Sequence, residues 1–184
     1  PDYFGKNFIL NDLTHEGGLT AIRIEGPVNS VDQRLNRLSK ELALLDQELS
    51  ILDNEQSNIF WSRTKNLEVF KDLKSNLLRI VVPISETLQV IQKFKNYEIK
   101  YFIDWGGSLI WASFDQLNTK ILNEIKEIVK KHKGYTTLIK VEEDLKASAD
   151  IFTIDPIKYK ISEKIKRSFD PKRIFNPGKM YTGI

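Results

Sequence analysis

The 184-residue sequence contains no cysteine, which excludes disulfides, cysteine-ligated iron–sulfur clusters and thiolate nucleophiles. Histidine is nearly as scarce, with only His15 and His132. They are too far apart in sequence for metal-ligand spacing, and a catalytic base needs a partner to orient it. Both therefore read as surface side chains, and neither a general base nor a metal site is assigned. Charge of one sign is not in large excess: 28 basic against 25 acidic residues leave +3, which does not point to a nucleic-acid partner. No apolar run approaches the roughly 20 residues of a membrane span, and no signal-type segment opens the chain. The glycine pairs Gly17-Gly18 and Gly106-Gly107 lack the spacing of a Rossmann fingerprint or a P-loop, where several glycines bring backbone N–H groups to phosphates; they read as turns. Met180 is the single methionine and the chain opens on Pro1, a combination expected of the C-terminal fragment of a longer polypeptide.

With 41% hydrophobic and 29% charged residues, the composition suits one moderate domain or two small ones. Leu19 to Glu25 alternates as a strand does, and Gly26-Pro27 ends it. Ser30 and Gln33 have capping-box spacing ahead of a helix whose apolar face is Val31, Leu35, Leu38, Leu42 and Leu45. Glu48 to Leu52 reads as a short strand, and Ser57 as the cap of a helix carrying Phe60, Trp61, Leu67, Phe70 and Leu73. The first part is thus βαβα, able to extend a sheet formed by the rest.

The second part repeats the pattern: a strand from Asn76 to Val82, a Ser85-capped helix bearing Leu88, Ile91 and Phe94, then strands Ile99 to Asp104 and Ser108 to Phe114 around Trp105-Gly106-Gly107. Leu117, Ile121, Leu122, Ile125, Ile128 and Val129 mark a helix that ends in Lys130, Lys131 and Lys133 with Gly134 as its C-cap. The cations there offset a helix dipole better than they suggest an anion site. Tyr135 to Lys140 is the closing strand. The fold class is α+β: a ferredoxin-like antiparallel sheet built on a βαββαβ core, with helices on one face. Sheet-based RNA binding is disfavoured, because strands such as Ile99 to Asp104 offer Tyr101 but little positive charge.

Asp155-Pro156 then opens a last helix through Ile157, Ile161, Ile165 and Phe169, whose stripe, like the others, is expected to be core. Asp170-Pro171 stops it, and Asn176-Pro177-Gly178 offers proline and glycine at the central positions of a type II turn. From the residues alone this end is a structural clasp with Phe169, Phe175 and Tyr181 as pegs. Trp105 either packs over a neighbouring domain or staples its own hairpin.

The run Phe-Asp-Pro-Lys-Arg-Ile-Phe-Asn-Pro-Gly-Lys-Met, ending at Met180, resembles the C-terminal signature of FAD-linked oxidases of the vanillyl-alcohol oxidase type. Ile22-Arg23-Ile24-Glu25-Gly26, Phe60-Trp61-Ser62-Arg63, Asp104-Trp105-Gly106-Gly107 and Gly134-Tyr135-Thr136-Thr137-Leu138 resemble, in order, the flavoprotein subunits of bacterial glycolate oxidase; at Tyr135 that group often has histidine. The resemblance implies that residues 1–18 are a linker or the remnant of a preceding FAD-binding domain, 19–141 a cap domain, and 142–184 a C-terminal helix and tail returning to the flavin domain. It implies FAD held mostly by a domain outside this sequence, with Phe175, Asn176 and Lys179 near the flavin, and no named catalytic residue. The implied reaction is oxidation of glycolate or a related 2-hydroxy acid to a 2-oxo acid. The implied partners are the other glycolate oxidase subunits, a second flavoprotein and an iron–sulfur protein, at a cytoplasmic or peripheral inner-membrane location. The HxGDGNxH motif expected of that second flavoprotein is absent here, which leaves a noncatalytic assembly or electron-relay role as the alternative.

Overall fold

Alternating apolar residues need a partner strand, and the computed structural model of the chain supplies one for each strand of its two compact units, residues 1–71 and 72–184. It describes residues 4–12, 18–44, 49–71, 76–142, 145, 149–153, 155–179 and 181.

In the first unit β1 (Phe4–Asp12) lies between β2 (Gly18–Gly26) and β3 (Leu49–Leu52), antiparallel to both. The order is therefore ββαβα in a sheet of its own, not a βαβα extension of the second sheet, and it includes a strand at residues 4–12. A middle strand is specified by pairing along both of its edges, which its local sequence need not advertise. Helix α1 (Val28–Ala43) buries Val31 and Leu35 against Ile24, with Leu38 and Leu42 partly buried beside them. Its N-cap is Pro27, so Ser30 sits inside the first turn and caps nothing; the chain reaches helical geometry as soon as the proline has set φ. Helix α2 (Asn54–Lys65) starts earlier than Ser57 because Asp53 supplies the cap: its carboxylate accepts from Gln56 N–H, and the Gln56 side chain returns to the Asp53 N–H. Ser57 is consequently a buried helix residue. Leu45 and Leu73, expected on the stripes of these helices, lie outside the described residues.

The second unit follows the expected order: β4 (Asn76–Val81), α3 (Thr87–Phe94), β5 (Ile99–Asp104), β6 (Leu109–Phe114), α4 (Thr119–Lys131) and β7 (Tyr135–Lys140). The sheet runs β5-β6-β4-β7 with every neighbour antiparallel, the arrangement of a split βαβ fold. Leu78, Ile80, Ile110, Ala112 and Phe114 on the strands meet Val90, Ile91 and Phe94 of α3 and Leu122, Ile125 and Val129 of α4, so both helices cover one face. The rings of Phe94 and Phe114 pack edge to face at 5.8 Å.

Three local expectations are corrected. Leu88 is 57% exposed, because the buried stripe of α3 is Thr87, Val90, Ile91 and Phe94, and Leu88 lies about 100° around the helix from Thr87. Ser85 does not cap; it lies in a single 3-10 turn, Ile84–Glu86, that leads into α3. Gly134 is not the left-handed residue that ends α4, a conformation Lys133 takes at φ 59°. It is glycine for space: a Cβ there would collide with Val82 Cγ1 and stand 2.6 Å from the Val81 carbonyl oxygen. Helix α4 itself is capped by Asn118, whose side chain accepts from Ile121 N–H.

Beyond β7 the chain turns back along the sheet edge. Leu138 N–H donates to Ile151 O, Thr153 N–H donates to Thr136 O, and Thr137 bridges Phe152. Helix α5 (Pro156–Phe169) follows, with Asp155 accepting from the Ile157 and Lys158 N–H groups and proline in its first turn. No helix among the described residues is long and apolar enough to cross a membrane.

Candidate functional site

The tail is built around Asp170. At the C-terminal end of α5 it is 6% exposed, and its two carboxylate oxygens accept from Ile174 N–H at 2.9 Å and Phe175 N–H at 3.0 Å. Lys166, one turn earlier, pairs with it at 2.6 Å. The lysine, then the two backbone N–H groups, hold the Asp170 carboxyl down at about 2, against the opposing effect of burial. Asp170-Pro171 thus does more than stop a helix: it folds the next five residues back across the helix end. Lys179 N–H then donates to Asn176 O at 3.2 Å around Pro177 and Gly178, with Gly178 at φ 67°, as a type II turn requires. Asn176 is itself left-handed at φ 46°.

This geometry presents Phe175, Asn176 and Lys179 together on the surface. Phe175 is 68% exposed, Asn176 and Lys179 are exposed, and neither of those two makes a side-chain hydrogen bond to another described residue. Of the three expected pegs, only Tyr181 is seated, its ring 5.8 Å from Phe152 and 6.0 Å from Tyr159. The stripe of α5 is not core either: Ile157, Ile161, Ile165 and Phe169 are all exposed, and Ile174 and Phe175 join them. Periodicity established that one face of α5 is apolar; it did not establish that its partner lies within this chain.

The second cluster is the β5–β6 hairpin. Trp105, Gly106 and Gly107 all have positive φ, at 54°, 61° and 108°. For tryptophan this backbone is costly, and it is fixed by three bonds: Asp104 Oδ1 accepts from Trp105 N–H, Ser108 Oγ donates to Trp105 O, and the Thr87 hydroxyl donates to Gly107 O. The turn lays the indole over the Arg79 guanidinium, 4.8 Å from ring centroid to Cζ, while leaving Trp105 58% exposed. It staples the hairpin to β4 and keeps an open surface. Arg79 had no signal in the sequence, because its partner is brought to it by strand pairing rather than by spacing.

His132 Nδ1 lies 2.7 Å from Glu86 Oε2, both half-buried, so it is a contact between the end of α4 and the turn before α3 rather than a free surface histidine. His15 lies outside the described residues. Among the described residues no three acidic or histidine side chains cluster to hold a metal.

The groups at the tail suit a contact with a heterocyclic ring edge that bears carbonyl oxygens and ring nitrogens: an amide with both donor and acceptor groups, a cation, and no side-chain hydrogen bond to another described residue at either. They do not cradle a pyrophosphate, since a single glycine, Gly178, stands among them. Residues 152–180 match the C-terminal domain of FAD linked oxidases. Over 126 residues the chain is 26% identical to glycolate oxidase subunit GlcE of Escherichia coli (strain K12), a match covering 68% of this chain and 32% of that protein. The chain thus spans about a third of the length of the curated relative it matches. No solved structure matches. The tail and the relative together support the C-terminal portion of a FAD linked oxidase.

Proposed function

We propose that this chain is the cap and C-terminal part of a FAD-dependent subunit of a glycolate oxidase-type enzyme, with residues 19–141 in the cap and residues 142–184 returning to a flavin-binding domain. The observation that carries the reading is the exposed apolar surface of α5, Ile157, Ile161, Ile165 and Phe169, which runs on through Ile174 and Phe175 to the Asn176–Lys179 turn. A contiguous exposed apolar surface of this kind marks an interaction site, and the family match falls on the segment that carries it. Docking of that face brings Asn176 and Lys179 to the bound flavin. When bound, FAD supplies the two-electron chemistry that takes glycolate or a related 2-hydroxy acid to the 2-oxo acid. The Asn176 amide binds and orients the ring edge, the Lys179 ammonium holds a positive charge where negative charge accumulates on reduction, and Phe175 excludes water beside it. Electrons leave through partner subunits, a second flavoprotein and an iron–sulfur protein. Assembly or electron relay without substrate turnover is the second reading, favoured by the absence of an HxGDGNxH motif.

Flavin content and reduction potential of the full-length protein test the site. Asn176→Ala and Lys179→Ala are expected to weaken flavin binding or shift its potential, a lost charge-assisted hydrogen bond being worth about 1.5–3 kcal/mol. Unchanged flavin binding and potential in both variants would make the turn a structural clasp.

A further inference from the structure

Strand register places Phe102, Trp111, Arg79 and Thr137 in one row across β5, β6, β4 and β7. The residues that flank them along the strands, Ile80, Ile110, Leu78 and Leu138, belong to the core under α3 and α4, so this row points out of the opposite face. A cation on a sheet face is ordinarily met by an acid. The arginines at 23, 37, 63 and 167 each pair with a glutamate, and Arg34 donates to Glu25 O. Among the described residues the Arg79 side chain makes no hydrogen bond or ion pair, and its guanidinium lies against the indole of Trp105.

That contact is held at a cost. Trp105 keeps a left-handed backbone that glycine would adopt freely, and three hydrogen bonds fix the turn so that the ring lies over the guanidinium. A guanidinium covered on its face keeps its N–H donors around its rim, in the fork that matches a planar carboxylate. Directly opposite Arg79 in register, one on each flanking strand, stand Trp111, an apolar side chain, and Thr137, whose hydroxyl can donate or accept. We propose that Arg79, framed by Trp105 and Trp111 and assisted by Thr137, is a binding site for the carboxylate of a small organic acid. The site rests on the sheet alone; only the further step, that this acid is the substrate, rests on the proposed function.

The test is titration of the full-length protein with sodium oxalate at constant ionic strength, read by the indole N–H signals of Trp105 and Trp111, with sodium phosphate as the competing probe. Flavin content is measured on the same samples, and circular dichroism checks that each variant is folded. Saturable oxalate binding is expected, with Arg79→Lys weakening it about 10- to 100-fold, since lysine keeps the charge and loses the fork. Trp105→Gly should weaken it while relaxing the turn, and Arg63→Lys should leave it unchanged. The inference is overturned if wild-type protein shows no saturable oxalate binding, if Arg79→Lys binds as wild type, or if phosphate binds equally well. Loss of oxalate binding with flavin retained would remove the site and leave the cap reading intact; oxalate bound through Arg79 in a protein that never holds flavin would do the reverse.

Discussion

Helices α3 and α4 on one side, and α5 on the other, carry apolar stripes of the same kind and meet opposite fates. On α3 and α4 the stripes are sealed against the sheet, with Val90, Phe94, Ile125 and Val129 at 0% exposure. On α5 the four apolar positions face solvent, while Tyr159, Ser162, Glu163 and Lys166 occupy the partly buried side. Within a single chain that arrangement is inverted. Periodicity reports that a face must be covered and is silent on what covers it, so an exposed stripe on a well-capped helix is information about a missing partner.

The contrast stands or falls first on two truncations. Phe94→Ala should cost about 3–5 kcal/mol in urea unfolding of this chain, as truncation of a fully buried aromatic does. Phe169→Ala, on α5, should change stability by no more than about 0.5 kcal/mol. A comparable loss at both positions would mean that α5 is already covered in this chain. Gly134→Ala comes next, at about 1–3 kcal/mol, because the added Cβ meets the Val81 carbonyl and two valine side chains that cannot easily move. Removing the cap of α4 with Asn118→Ala should cost about 1 kcal/mol in the same assay.

The mildest consequence belongs to the tail and is one of pH. The Asp170 carboxyl is depressed to about 2 from an ordinary 3.8, so its contribution is fully present above pH 3.8 and is lost as pH falls toward 2. In that window the Ile174 and Phe175 amides should lose hydrogen-exchange protection while those of β4 and β6 keep theirs. Simultaneous loss in both regions would show that the tail is not a separate element.

How much of this could be read from the residues varies with the range of the interaction responsible. The βαββαβ order was legible because alternation, turn glycines and the α4 stripe are local signals, and the Asn176-Pro177-Gly178 turn was legible for the same reason. The strand at residues 4–12 was not, because it is defined by pairing on both edges. Caps at Ser30, Ser57 and Ser85 were misplaced by a few residues, since Pro27, Asp53 and the 3-10 turn at Ile84–Glu86 begin or precede those helices instead. Arg79 was invisible for a different reason: an arginine without a carboxylate partner is recognisable only once strand order shows what stands next to it.

The pairing of residues 151–153 with β7 and the packing of Tyr181 on Phe152 and Tyr159 have a further consequence. They bring the two ends of a long excursion together, so that α5 and the turn after it form a closed loop whose neck is fastened before any partner arrives. The entropy of closing that loop is lost on folding rather than on association. A partner therefore meets a surface whose shape is already set, and its affinity is not eroded by having to order a free chain end.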